Sequence, residues 1–241
     1  MSSSRKAPAP PRAAREVRIE ELLGRLNDVE EKNKPESLLT IGDTSLLQGT
    51  PRAAIVGARN ASELGLARAR KLARLLAARG VVVVSGLAEG VDTAAHWSAI
   101  RAGGRTIGVL GSPLDVLFRQ ADAGLRTLME KEHLVVSQFP SGHPVLRSNF
   151  PRRNRTMALL THATVIIEAS DTSGSLSQGW EALRLGRQLF ILKSVADDPR
   201  LTWPAEMVKY GATVLSESGV ETLFDALPPP EEPGWLERLA F

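Results

Sequence analysis

From Arg52 onward the chain alternates short runs that are apolar throughout with longer segments that are apolar on one side only. The short runs are Ala53 to Gly57, Val81 to Ser85, Thr106 to Gly111, Leu134 to Ser137, Thr164 to Ala169 and Gln188 to Leu192, with a last one from Ala212 to Ser216. Most are rich in β-branched residues, as expected of strands covered by helices on both faces. Between them, Glu63 to Arg79 sets Leu64, Leu66, Leu72, Leu75 and Leu76 as helical anchors, and a final helix is expected from Val220 to Leu227. Strand and helix in regular alternation predict an α/β fold with a doubly wound, mostly parallel sheet and helices on both faces.

The N-terminal part reads differently. Residues 1–13 are Ser-, Pro- and Ala-rich and read as a disordered tail. From Ala14 to Lys32, Val17, Ile19, Leu22, Leu23, Leu26 and Val29 fall mostly on one helical face, so one amphipathic helix is expected there, followed by an irregular linker to about residue 50. The core domain then runs over 51–227. A Pro-rich break and a tail containing Trp235, Leu236, Leu239 and Phe241 complete residues 228–241.

In a doubly wound sheet, ligands gather at the carboxyl ends of the strands, over helix N-termini. The segments just past the expected strands are Gly57 to Asn60, Ser85 to Asp92, Gly111 to Asp115, Ser137 to Gly142 and Ser170 to Ser175. All are small and rich in Gly or Ser, able to turn backbone N–H groups toward an anion. Neither G-x-G-x-x-G nor G-x-x-x-x-G-K-[ST] occurs, which argues against an ordinary dinucleotide site or a P-loop.

Composition removes further classes. With no cysteine among 241 residues, thiolate metal sites and cysteine nucleophiles are excluded. His96, His133, His143 and His162 show no metal-ligand spacing, so no metal and no cofactor are expected. No membrane-length apolar run or signal-peptide core is present, and a cytoplasmic location is expected. Asp92 and His96, four apart, are expected to cap and pack rather than to transfer protons. The net charge is only +3, yet the stretch RSNFPRRNR holds Arg147, Arg152, Arg153 and Arg155 with no acid among them. Guanidinium forks suit phosphate oxygens, and Phe150 between them offers a face for an unstacked base, a combination suited to single-stranded nucleic acid. Asn149 and Asn154 add neutral hydrogen-bonding groups, and Pro151 is expected to stiffen a loop.

Four motifs in order, VGAR, SGLAEGVDTAAHWSAIRAGGRTIGVLGSPLD, NFPRRNRTMALLTHATVIIEA and SGSL, resemble the Rossmann-like core of the DprA (Smf) family of DNA-processing proteins from about Ala53 to Leu192. That resemblance implies a homodimer that binds single-stranded DNA, loads RecA onto it and is not an enzyme. It places the DNA pocket at Arg59 and at Asn149, Phe150, Arg152, Arg153, Asn154 and Arg155, to which the strand-end loops add Gly57, Ser85, Gly86, Ser173, Gly174 and Ser175. The chain departs from the family in two places. Glu89 stands where an arginine is usual, putting a negative charge at the expected rim, and the family's SGSLITA reads SGSLSQG here, Ser173 to Gly179, followed by Trp180 and Glu181. Glu181 loosely matches the glutamate of the related LOG-type phosphoribohydrolases, so a small-nucleotide sensor or hydrolase is the alternative.

Overall fold

The computed structural model describes residues 13–116 and 122–229. In chain order the elements are β1 (Arg15–Arg18), α1 (Ile19–Leu23), α2 (Asp28–Asn33), β2 (Ser37–Gly42), a 3₁₀ turn (Thr44–Leu47), β3 (Arg52–Val56), α3 (Glu63–Ala78), β4 (Val82–Ser85), α4 (Val91–Arg101) and β5 (Thr106–Leu110). There follow α5 (Ala123–Glu132), β6 (Leu134–Ser137), α6 (Asn149–Leu159), β7 (Ala163–Ile166), α7 (Ser175–Arg184), β8 (Gln188–Leu192), α8 (Lys193–Ala196), α9 (Trp203–Lys209), β9 (Thr213–Leu215) and α10 (Val220–Asp225).

The nine strands form one sheet in the order β1-β2-β6-β5-β4-β3-β7-β8-β9. β6 through β9 in that order are parallel, and only β1 and β2 run antiparallel to their neighbours. The expected Rossmann-like, doubly wound α/β architecture is therefore present. Consecutive side chains of a strand point to opposite faces, and both faces are covered here. Ala53 and Ile55 pack with Leu72, Leu76 and Val91 of α3 and α4, while Ala54 and Val56 pack with Met157 and Ala182 of α6 and α7.

The N-terminal segment corrects one expectation. Instead of a single helix from Ala14 to Lys32, β1 and two short helices form, and the expected linker contains β2, which pairs with β6 from Leu39 opposite Ser137 to Gly42 opposite Leu134. Gly24 and the Asn27 capping box break the helical run: Asn27 accepts from the Val29 and Glu30 amides, and Glu30 accepts in return from the Asn27 amide. Ile19 and Leu22 still reach the core, so the apolar stripe was real but belongs to three elements. Glu30, paired with Arg187, fastens α2 to the main body. The expected tail over residues 1–13 lies, apart from residue 13, outside the described residues. So does the tail from residue 230 on, with Trp235, Leu236, Leu239 and Phe241.

β3 lies where the strand order reverses, between β4 on one side and β7 on the other. In open α/β sheets this switch point leaves a crevice at the carboxyl ends of the strands. That geometry locates the site.

Candidate nucleic-acid interface

A cleft of about 340 Å³ opens at the ends of β3 and β7. Its walls come from Val56 to Arg59 past β3, from Ala88 and Asp92 past β4, from Ser170 and Ser173 to Ser175 past β7, and from α6 and α7. Of the expected site residues, Gly57, Arg59, Phe150, Arg153, Asn154, Ser173, Gly174 and Ser175 meet in this one place.

The stretch RSNFPRRNR is the entry to α6 and its first turns, not a loop. Pro151 is the third residue of the helix, where no intrahelical N–H is needed. Helical periodicity then sorts the stretch: positions i, i+3, i+4 and i+7 share a face. Phe150, Arg153, Asn154 and Met157 line the cleft, whereas Arg152 and Arg155 line a separate groove with Lys32, Lys34 and Gln138. Arg152 lies over the Phe139 ring at 5.2 Å, and Arg155 Nε donates to Glu181 at 3.1 Å. The expectation that Arg152, Arg153 and Arg155 act together at one pocket is thus corrected by the 100° step between helical neighbours.

Arg59 is exposed at the mouth, its guanidinium carbon 5.8 Å from the centre of the half-buried Phe150 ring. Arg153 is its opposite. Only 9% exposed, it donates from Nη1 to Gly86 O and Val109 O, both at 2.8 Å, and from Nε to Asn154 Oδ1 at 3.0 Å. Asp92, also buried, accepts from the Gly86 and Ala88 amides at 3.1 and 3.3 Å. Burial pushes the Asp92 carboxyl above its ordinary range while Arg153 pulls it back, and burial likewise draws the Arg153 guanidinium down. The two charges under the cleft compensate one another. A Cβ at Gly86 would run into both Arg153 and Asp92, so only glycine lets the strand end pass between them.

The other expected residues lie around the cleft without lining it. Ser85 is fully buried, its Oγ donating to Ile55 O at 2.7 Å, and Gly86 contributes through the contacts just described. Asn149 is 1% exposed and donates from Nδ2 to Pro144 O at 3.0 Å, fixing the approach to α6. Glu181 is buried under Arg155 and is absent from the cleft wall, its carboxylate occupied by that cation. Glu89 does not stand at the rim either: it lines a groove between α3 and α4 with Arg70, Trp97 and Arg101.

The Arg59 loop is held from two sides. Glu168, just past β7, accepts from the Ser62 amide at 2.8 Å and from the Ser62 hydroxyl, and its backbone oxygen accepts from the Ala58 amide at 2.8 Å. Ser62 in turn caps α3 by accepting from the Gly65 amide. Gly90 supports the loop from below at φ +78°, where a side chain would overlap the carbonyl oxygens of Ala58 and Arg59. Sequence reasoning passed over Glu168 and Gln178 as parts of the site. The change from SGSLITA to SGSLSQG was the one signal for the latter.

The fold and the site define a Rossmann-like α/β protein with a cationic and aromatic mouth over a switch-point crevice and no dinucleotide fingerprint. The model of the family "DNA recombination-mediator protein A" matches residues 20–227. DNA processing protein DprA of Streptococcus pneumoniae is 37% identical over 190 residues, covering 76% of this chain and 67% of that protein. The X-ray structure of DprA from Streptococcus pneumoniae superposes with a TM-score of 0.72 at 30% identity, over 88% of this chain and 75% of that one. A Helicobacter pylori DprA structure, described as giving insight into that protein's single-stranded DNA binding mode, gives 0.69 at 25% identity, over 84% and 93%. The chain belongs to the DNA recombination-mediator protein A family. It spans 65%, 67% and 49% of three of the curated relatives it matches, those from Bacillus subtilis, Streptococcus pneumoniae and Escherichia coli.

Proposed function

We propose that this chain binds single-stranded DNA in the switch-point cleft and leaves the strand uncut. The observation that carries the reading is the pairing of exposed Arg59 with Phe150 at the mouth: a fixed cation for a phosphate beside a ring for a base. Ser173 to Ser175, at the start of α7, bring small polar residues and backbone to the same wall. The Helicobacter pylori relative, whose structure concerns single-stranded DNA, supports the same ligand. Glu181, the residue the hydrolase alternative relies on, is paired with Arg155 and does not line the cleft. A cytoplasmic setting, a homodimer and delivery of the strand to RecA belong to the same proposal and rest on the family. Among the described residues no helix is long and apolar enough to cross a membrane.

The test is fluorescence anisotropy with a labelled single-stranded oligonucleotide across a salt series. Each phosphate neutralised contributes a log–log slope of roughly −0.7. Arg59→Ala is expected to weaken binding and flatten the slope by about one such contact, with the melting temperature unchanged because the side chain is exposed. Unaltered affinity in this variant would remove the cleft from the reading.

A further inference from the structure

Gln178, in the first turn of α7, lines the inner cleft yet is only 1% exposed. Its Nε2 donates to Thr164 Oγ1 at 3.3 Å, and its Oε1 is buried with no hydrogen-bond partner. A buried amide oxygen left unpaired is costly, and such atoms are uncommon in native proteins. The other amide on the wall has a partner at each end: Asn154 donates to Gly174 O and accepts from Arg153. The same wall carries Val56 and Met157, both buried apolar side chains. The inner end therefore offers two apolar surfaces and one acceptor that lacks a donor. The chemistry that completes it is flat, apolar on its faces and donating at its edge.

We infer that the inner cleft seats one nucleobase edge-on, with Gln178 Oε1 accepting from an exocyclic amino group. This rests on the strand-binding reading and deepens it, because it makes a sequence preference a property of this chain. Cytosine brings an N4 amino donor on its pairing edge. Thymine has no exocyclic amino group: its O4 stands where cytosine carries N4, and would set acceptor against acceptor at Gln178 Oε1. A lone acceptor thus admits cytosine and rejects thymine, by the cost of unpaired acceptors on the wrong base. The cleft, at about 340 Å³, has room for a base and its sugar. At the mouth, Arg59 takes the phosphate.

The experiment compares labelled dC20 and dT20, two weakly stacking strands, by anisotropy against the wild-type chain, Gln178→Met, Gln178→Thr and Arg59→Ala. The expected result is dC20 bound roughly 3- to 10-fold more tightly than dT20, the range of one hydrogen bond. Both Gln178 variants should erase the difference by weakening dC20 more than dT20, with a melting temperature within a few degrees of wild type. Gln178→Thr, the family's residue at this position, keeps the test alive if Gln178→Met does not fold. Equal binding of the two strands by the wild type, still dependent on Arg59, overturns the inference and leaves strand binding intact. A thymine preference that Gln178→Met abolishes overturns the acceptor role. Failure of the wild type to bind either strand sinks the strand reading itself.

Discussion

Arg59 and Arg153 line the same cleft and have opposite tasks. Arg59 is a solvent-facing cation, while Arg153 is tied to two carbonyl oxygens and stands over a buried carboxylate. Removing it strands Asp92 and two acceptors, so Arg153→Ala is expected to lower unfolding free energy by about 3 kcal/mol, as for breaking a buried charge pair. Urea midpoints measure this, and a midpoint equal to wild type would show that the charge is not needed. From the sequence alone Arg153 reads as a guanidinium fork for phosphate, like its neighbours in RSNFPRRNR. Residue type was legible there, and burial was not, because nothing in RRNR distinguishes a helical position facing solvent from the next facing a cleft. Phe150 lines the cleft beside Arg59, and if it stacks on a base as proposed, Phe150→Ala should cost roughly 1 to 3 kcal/mol in strand affinity with little change in salt slope. Titrations of the variant at two salt concentrations separate it from Arg59→Ala.

At the level of elements, the parallel strands were readable because two covered faces leave an uninterrupted apolar run, and every run from Ala53 to Ser216 appears within a few residues of its expected bounds. Short pieces were not readable in this way. β1 has one half-buried residue among exposed ones, Arg15, Glu16 and Arg18, and its place in the sheet comes from pairing with β2, which no local pattern announces. The start of α6 was hidden by Pro151, which suggests a loop unless the first turn of a helix is considered. Loop placement is the element-scale quantity that binding depends on. Gly90→Ala, which forces a side chain into the Ala58 and Arg59 carbonyls, is expected to lower strand affinity several-fold by displacing Arg59. Calorimetric titration tests it: affinity equal to wild type in a folded variant would show that the loop tolerates the shift.

Over the whole molecule, stability should depend on pH through histidines held neutral inside it. His96 is pushed down to about 3 by burial and then by His133, and His162 to about 4 by burial and then by the cations of Arg52 and Arg187. The unfolded chain takes up these protons near pH 6.5, the folded chain only near 4 and 3. Stability is therefore complete above about pH 6.5 and falls toward pH 4, each group approaching a slope of about 1.4 kcal/mol per pH unit. Urea midpoints at pH 7.5 and 4.5 test this, and equal values would refute it. Light scattering is expected to give twice the 26.0 kDa chain mass, consistent with the apolar Val208, Tyr210 and Val214 exposed beside the edge strand β9. The chain mass itself would exclude the homodimer. The Glu168 carboxylate, seated at the start of α3, has a consequence for what else the fold can hold. In doubly wound proteins the first crossover helix receives the pyrophosphate of a dinucleotide, and here the protein has closed that berth with an anion of its own. Millimolar NAD⁺ is accordingly expected to leave a bound oligonucleotide in place, and its displacement by NAD⁺ would show that the berth is still open.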